Sequence, residues 1–230
     1  MPASDEIDVW VVPLPIDDPT TEGAAIGILS VHEQRRAQRL TAPAARARFV
    51  HGRAALRQIA GAYLRVPPRR VDLVEDPNGK PRLRADPARL ELSLSHTRDL
   101  AAIAVATRPV GIDIEALDRK VDVATMRRAL LDDEFELVLA QPPDQRAEAF
   151  LRHWTVKEAY VKALGTGLAL LGLRSIAVAN ALDAPSLPGA GAWSAQRLDP
   201  ADGFVGAVVA ANGPWVARRR ESPSIIAARK

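Results

Sequence analysis

Along this chain the spacing of apolar residues alternates between the two-residue period of strands and the three-to-four-residue period of helices. Residues 7 to 12, IDVWVV, mix β-branched and aromatic side chains ahead of a proline and predict a strand. From Ser30 the text turns to VHEQRRAQRL and then to RARFVHGRAALRQIAGAYL, where Phe49, Leu56, Ile59, Ala60 and Tyr63 recur at helical spacing. The Pro67-Pro68 pair ends that second helix. VDLVEDPNGKPRLR reads as strand, Asn78-Gly79 turn and short strand. LELSLS, LAAIAVA and VGIDIE follow as three strand-like runs, which together predict a largely antiparallel sheet packed by the long helix.

The second half opens with helical text, VATMRRALLDDEFELVLA, and after Pro142-Pro143 continues as QRAEAFLRHWTVKEAYVKALG, with Gly165 as the helix stop. Strand candidates follow around SIAVA, WSAQRL, GFVGAVVA and PWVARR. APSLPGAGA reads as a flexible loop between the first two, and RRRESPSIIAARK as a loosely ordered tail. Each half thus offers helices followed by strands, without a visible repeat in the sequence itself.

With 230 residues, 47% hydrophobic and 26% charged, the composition is that of a globular chain long enough for one large domain or two small ones. No apolar stretch is long enough for a spanning helix, and the first residues are acidic where a secretory signal would be basic, so the expectation is a soluble, cytoplasmic protein. The chain has no cysteine, which excludes disulfides, thiolate metal sites and cysteine nucleophiles together. Any metal must be held by oxygen or histidine. A net charge of +3 is too small to argue for nucleic acid, and 4% aromatic residues leave too few rings for base stacking. A mildly basic surface also suits a polyphosphate ligand or an acidic protein partner.

Four segments could carry chemistry. In VGIDIEAL, Ile112 and Ile114 alternate with Asp113 and Glu115, so a strand places both carboxylates on one face. Such a pair suits a hard cation such as Mg²⁺, or is simply the solvated face of an edge strand. In WTVKEAYVKALGTGL, Trp154, Glu158 and Lys162 share a helix face, with Lys157 about 100° round from Glu158. That face is either a surface Glu-to-Lys pair or a carboxylate and an ammonium at work, and the glycines of the LGTGL ending point to close approach of something else to the backbone. In LSLSHT, Ser95 and His96 stand at a strand end. A hydrolase pair lacks a third member and a GxSxG elbow, which leaves anion binding or a structural role. In NGKP a hairpin tip projects Lys80, which by itself reads as an ordinary exposed turn lysine.

Taken together, GKP at 79 to 81, SLSH at 93 to 96, GIDIE at 111 to 115 and WTVKEAYVKALGTGL at 154 to 168 resemble the Sfp-type 4′-phosphopantetheinyl transferases. The resemblance covers roughly residues 30 to 180 and is most specific in the last two segments, about 40 residues apart. It implies an α/β fold of the α+β kind, in two similar halves related by pseudo-two-fold symmetry, each a mainly antiparallel sheet packed by a long helix. The expected halves are residues 1–108, holding the nucleotide end of coenzyme A, and residues 109–230, holding the metal and docking the carrier protein.

The implied reaction moves the phosphopantetheine arm of coenzyme A to a serine of an apo acyl- or peptidyl-carrier protein, releasing adenosine 3′,5′-bisphosphate. Asp113, Glu115 and Glu158 match the acids that bind Mg²⁺. Asp113, Glu158 and Lys162 make up the catalytic set, with Glu158 as proton acceptor and Lys162 on the pyrophosphate. Ser95, His96, Lys80 and Lys157 are placed on coenzyme A. Arg48 and Arg53 look like the arginines near its 3′-phosphate. Glu33 stands where some members carry a basic residue, with Arg35 or Arg36 as the replacement. A monomer is expected, with the carrier docked around Met126 to Leu131 and the HWTVKEA helix. The competing readings are a non-catalytic module that binds coenzyme A or a carrier, and a Mg²⁺-dependent nucleotide pyrophosphatase.

Overall fold

In the computed structural model, residues 1–84, 89–167, 172–178, 193–211 and 213–220 are described. The first half begins with β1 (Glu6–Pro13), which is followed by α1 (Pro19–Ile26), α2 (Val31–Arg39) and the long α3 (Pro43–Leu64). Strand periodicity does not announce α1; its signal is a cap, with the Asp18 side chain accepting the Thr20 N–H and Pro19 in the first turn. Helix α2 starts on a capping box between Ser30 and Glu33. The Asn78-Gly79 turn joins β2 (Leu73–Glu75) to β3 (Pro81–Leu83) as the sequence predicts, with Gly79 at a φ of 85°. Strands β4 (Glu91–Thr97) and β5 (Leu100–Ala106) complete the half.

The second half comprises β6 (Val110–Ala116), α4 (Val123–Ala129), α5 (Asp132–Leu139), α6 (Arg146–Leu164), β7 (Trp193–Leu198), β8 (Phe204–Ala211) and β9 (Val216–Arg220). The helical text read from Val123 on is broken between α4 and α5, where Glu134 accepts the Leu131 N–H and starts a new helix. SIAVA is no strand over its described residues: Leu173–Ser175 form a 3-10 turn ahead of it. Of the expected tail, Arg218 to Arg220 belong to β9. The rest of the tail and the APSLPGAGA loop lie outside the described residues.

Sheet order makes the two halves comparable. The first sheet runs β4-β5-β1-β9 and the second β6-β8-β7, so each half has an opening strand, a long helix and a closing pair whose last strand returns to the opening one. These pairings are antiparallel, while β9 crosses over to pair parallel with β1. Alternation then sorts the layers. Ile7, Val9, Ala102 and Ala104 face Ile112, Ile114, Val208 and Ala210 in a core between the sheets. Ala101, Ile103 and Val105 turn to Leu56 and Ile59 of α3, and Ala207 and Val209 turn to Val156 and Ala159 of α6. No helix among the described residues is long and apolar enough to cross a membrane.

Candidate active site

Strand β6 places the site because its core face fixes its other face. Ile112 and Ile114 are locked in the inter-sheet core, so Gly111, Asp113 and Glu115 turn the opposite way, toward α6. Gly111 lets the two backbones meet: a Cβ there would collide with the Ala159 carbonyl oxygen and lie 2.5 Å from the Ala163 nitrogen. Through this contact Lys162 reaches Asp113, its Nζ donating to Oδ1 at 2.7 Å. Strand β4 closes the seam from the first half. Ser93 Oγ accepts the Ile112 N–H at 3.0 Å, and Ser95 Oγ accepts the Ile114 N–H while donating to Asp113 Oδ1 at 2.7 Å.

Asp113 is 5% exposed, and its second carboxylate oxygen, Oδ2, is buried with no hydrogen-bond partner in the described structure. Glu158 stands half-buried on α6. Burial and then the Asp113 charge push its carboxyl up to about 7, against the opposing pull of Lys162. Burial and Asp113 raise Glu115 in the same way. Glu115 pairs with Arg119, whose guanidinium lies 4.8 Å from the centre of the Trp154 ring. No three His, Asp or Glu side chains are arranged to hold a metal among the described residues. The donor chemistry nevertheless suits a hard divalent cation. The Asp113 and Glu115 charges both bear on Glu158, the proton affinity of the two glutamates is raised, and one buried Asp113 oxygen lacks any donor.

A cleft between the halves opens onto these groups as two lobes that share Gly79, Pro81, Leu94 and Lys162. One lobe, about 240 Å³, runs past Asn78, Ser93 and Glu158 to Gly165 and Gly167. The other, about 290 Å³, is lined by Arg36, Phe49, Arg53, Glu75, Ser95, His96, Asp113 and Glu115. The close approach announced by the two glycines is made by the hairpin: Asn78 Nδ2 donates to the Gly165 carbonyl at 2.7 Å, and a Cβ on Gly167 would meet the Asn78 side chain. Both glycines adopt positive φ.

Residues 109–207 match the family model described as the 4′-phosphopantetheinyl transferase superfamily. Over 217 residues the chain is 40% identical to the 4′-phosphopantetheinyl transferase HetI of Nostoc sp. (strain PCC 7120), covering 92% of this chain and 90% of that protein. The chain belongs to the 4′-phosphopantetheinyl transferases. Shorter matches link this transferase to the 4′-phosphopantetheinyl transferase psf-1 of Bacillus pumilus, 33% identical over 53% of this chain and 51% of that one. The 4′-phosphopantetheinyl transferase Sfp of Bacillus subtilis (strain 168) is 30% identical over 34% of each chain.

Of the residues singled out in the sequence, Asp113, Glu115, Glu158, Lys162, Ser95 and His96 line this transferase's cleft together. His96 sits exposed on the α3 side beside Gly52, and partial desolvation within the cleft, with the charges of Lys162 and Arg48, holds its proton affinity below the usual histidine value. Lys157 departs from expectation. It is fully buried on the far side of α6, donating to Glu134 at 2.5 Å and to the carbonyls of Ala129 and Leu173, so it cannot contact a ligand in the cleft. Its ring position, about 100° from Glu158, already turned it away.

Lys80 also differs from an exposed hairpin lysine. Its backbone borders the cleft, but its ammonium is buried and donates to Val110 and Ala163 carbonyls at 3.1 Å each, tying the hairpin to the second half. Arg53 lines the cleft with its charge already shared, its Nε on Glu33 at 3.0 Å and its Nη2 on Glu75 at 2.9 Å. Glu33 is buried against Arg53 and Arg57. Arg36 enters the cleft while Arg35 is exposed and does not line it. Arg48 is half-buried, its charge bearing on His96. Glu75 and Arg119 carry no local sequence signal. Glu75 lies 39 positions from Arg36, and only the fold brings the two together.

Proposed function

We propose that this transferase moves the 4′-phosphopantetheine arm of coenzyme A to a serine of an apo acyl- or peptidyl-carrier protein, in the manner of the Sfp type, and releases adenosine 3′,5′-bisphosphate. The observation that carries the reading is the convergence of Asp113, Glu115, Glu158 and Lys162 on one cleft between the halves, beside Ser95 and His96. The serine hydroxyl attacks the phosphorus that bears the pantetheine arm. The bond from that phosphorus to the bridging oxygen breaks, and the hydroxyl proton passes to Glu158. Burial raises the proton affinity of Glu158 to about 7, well matched to accepting a proton at neutral pH.

Lys162 lies against the pyrophosphate and offsets charge on its oxygens. Asp113, Glu115 and Glu158 would hold Mg²⁺, which when bound would neutralise charge developing on the phosphoryl oxygens. Arg119 keeps Glu115 paired until then. Residues 1–108 take the nucleotide end, with His96, Arg48 and Arg53 near its phosphates. Residues 109–230 carry the metal and the carrier surface. Arg127 and Arg128 of α4, beside α6, give that surface positive charge for an acidic carrier helix. One chain supplies both halves of the cleft, which supports a functional monomer.

Mass spectrometry of an apo carrier protein incubated with coenzyme A, Mg²⁺ and the full chain tests the reading. A carrier heavier by one phosphopantetheine group is the expected result. Unchanged reactants would indicate a binding module, and hydrolysed coenzyme A with unmodified carrier a pyrophosphatase.

A further inference from the structure

The arginine-lined lobe of the cleft contains an acid that the reaction does not require. Arg36 Nη1 lies 2.7 Å from each oxygen of Glu75, and Arg53 Nη2 lies 2.9 Å from Glu75 Oε1. Glu33, also paired with Arg53, is not part of the cleft wall. It is 3% exposed, holds Nε from behind, and bonds Arg57 at 2.6 Å on its other oxygen. Glu33 therefore positions the guanidinium. Glu75 lines the cleft itself and takes the outward donors of both arginines, the ones that an incoming phosphate oxygen would use.

Coenzyme A carries a pyrophosphate and, across its ribose, a phosphate monoester. If the pyrophosphate lies at Lys162 and the carboxylates, the part of their lobe lined by Arg36, Arg53 and His96 is left for the monoester. There a phosphate dianion meets a carboxylate already seated on the same nitrogens. It must either displace Glu75 or share the arginines with it, and both cancel most of the attraction that two guanidinium groups would otherwise supply. We propose that Glu75 is a specificity-determining residue of the cleft: it occupies the Arg36–Arg53 pair in place of a phosphate monoester, so that coenzyme A and 3′-dephospho-coenzyme A bind with similar affinity. This rests on the coenzyme A reading given above.

Calorimetry on the full chain, with Mg²⁺ present and carrier protein absent, compares coenzyme A with 3′-dephospho-coenzyme A for the parent and for Glu75→Gln. The parent should prefer coenzyme A by less than about tenfold, below the worth of one unopposed charge-assisted hydrogen bond. Glu75→Gln removes the charge that opposes a phosphate at the outward donors of both arginines and should widen that preference by about tenfold or more, through tighter binding of coenzyme A alone. A parent preference above about tenfold would overturn the proposal whether or not the variant folds. So would a variant with unchanged or reduced preference, which would make Glu75 a positioning residue like Glu33. Failure of both nucleotides to bind the parent would instead sink the coenzyme A reading itself.

Discussion

Single residues in the cleft divide between those that hold charge and those that move a proton. Glu158→Gln is nearly isosteric and removes the proton acceptor, so it should lower kcat by about 10² to 10⁴ with little change in the KM for coenzyme A. His96→Ala removes a group expected to bind in ground and transition state alike, and should raise the coenzyme A KM while kcat at saturation stays near the parent value. Steady-state kinetics on the two variants should show these opposite patterns. A large kcat loss in His96→Ala with Glu158→Gln still active would exchange the roles. Lys157 separates the same two kinds of role in stability. Lys157→Met strands Glu134 in the interior with only backbone donors, a loss of about 3 to 5 kcal/mol expected in urea unfolding, while coenzyme A affinity of the folded fraction is unchanged. Residue types and spacing left Asp113, Glu115, Glu158 and Lys162 open between solvated and working faces, and the resemblance to the family grouped them as the fold does. Both left Lys157 misassigned, because helix spacing shows which way a lysine points but not that Glu134, 23 positions upstream, is there to bury it.

At the scale of elements, the site depends on how closely β6 lies against α6, and one glycine sets that distance. Gly111→Ala would force its Cβ into helix backbone, which cannot rotate away as a side chain could, so the strand and helix must separate. A loss of about 3 kcal/mol or more is expected, and Lys162 should be drawn off Asp113 with a matching fall in activity. Thermal unfolding and transfer assays on Gly111→Ala check both; near-parent stability would show that the seam can slide. The two long helices, the hairpin and most strands were readable because each repeats one period or carries a turn dipeptide. Helix α1 was missed because its signal is a cap rather than an apolar stripe. The α4–α5 break was missed because Glu134 makes it through its bonds to the Leu131 N–H and, across the fold, to Lys157. The seams between halves were likewise out of reach. Ser93 and Ser95 satisfy β6 backbone donors on one side, and Gln196 bonds the Ala217 N–H and Trp215 carbonyl on the other. Such side-chain stitches stand in for ladder bonds where two sheets meet and have no periodicity to read.

Across the whole molecule, stability against pH is the sum of buried groups that titrate in opposite senses. Burial lowers His51 and His153 below 6.5, so as the pH falls past that value the unfolded chain takes up protons that the folded chain refuses, and stability declines. Glu33 is lowered below 4.5, because the Ser30 N–H and the two arginines outweigh its burial. Its contribution is full above 4.5 and is lost as the pH falls through the folded value, which extends the decline. Glu158 runs the other way. Its folded value of about 7 lies above 4.5, so the folded chain binds the extra proton between those limits, and the ionised carboxylate is an unrelieved cost at higher pH. In metal-free protein, Glu158→Gln should therefore be more stable than the parent above pH 7. The advantage should shrink as the pH falls below about 7 and vanish below 4.5, where both proteins are neutral at this position. The histidine and Glu33 declines are common to the two proteins and cancel in the difference. Urea unfolding in EDTA from pH 4 to 8 measures that difference directly. A variant equal to or weaker than the parent at pH 8 would show that Lys162 already compensates the Glu158 charge, whereas the expected gain would mark a residue retained at a cost to the fold for what it does in the cleft.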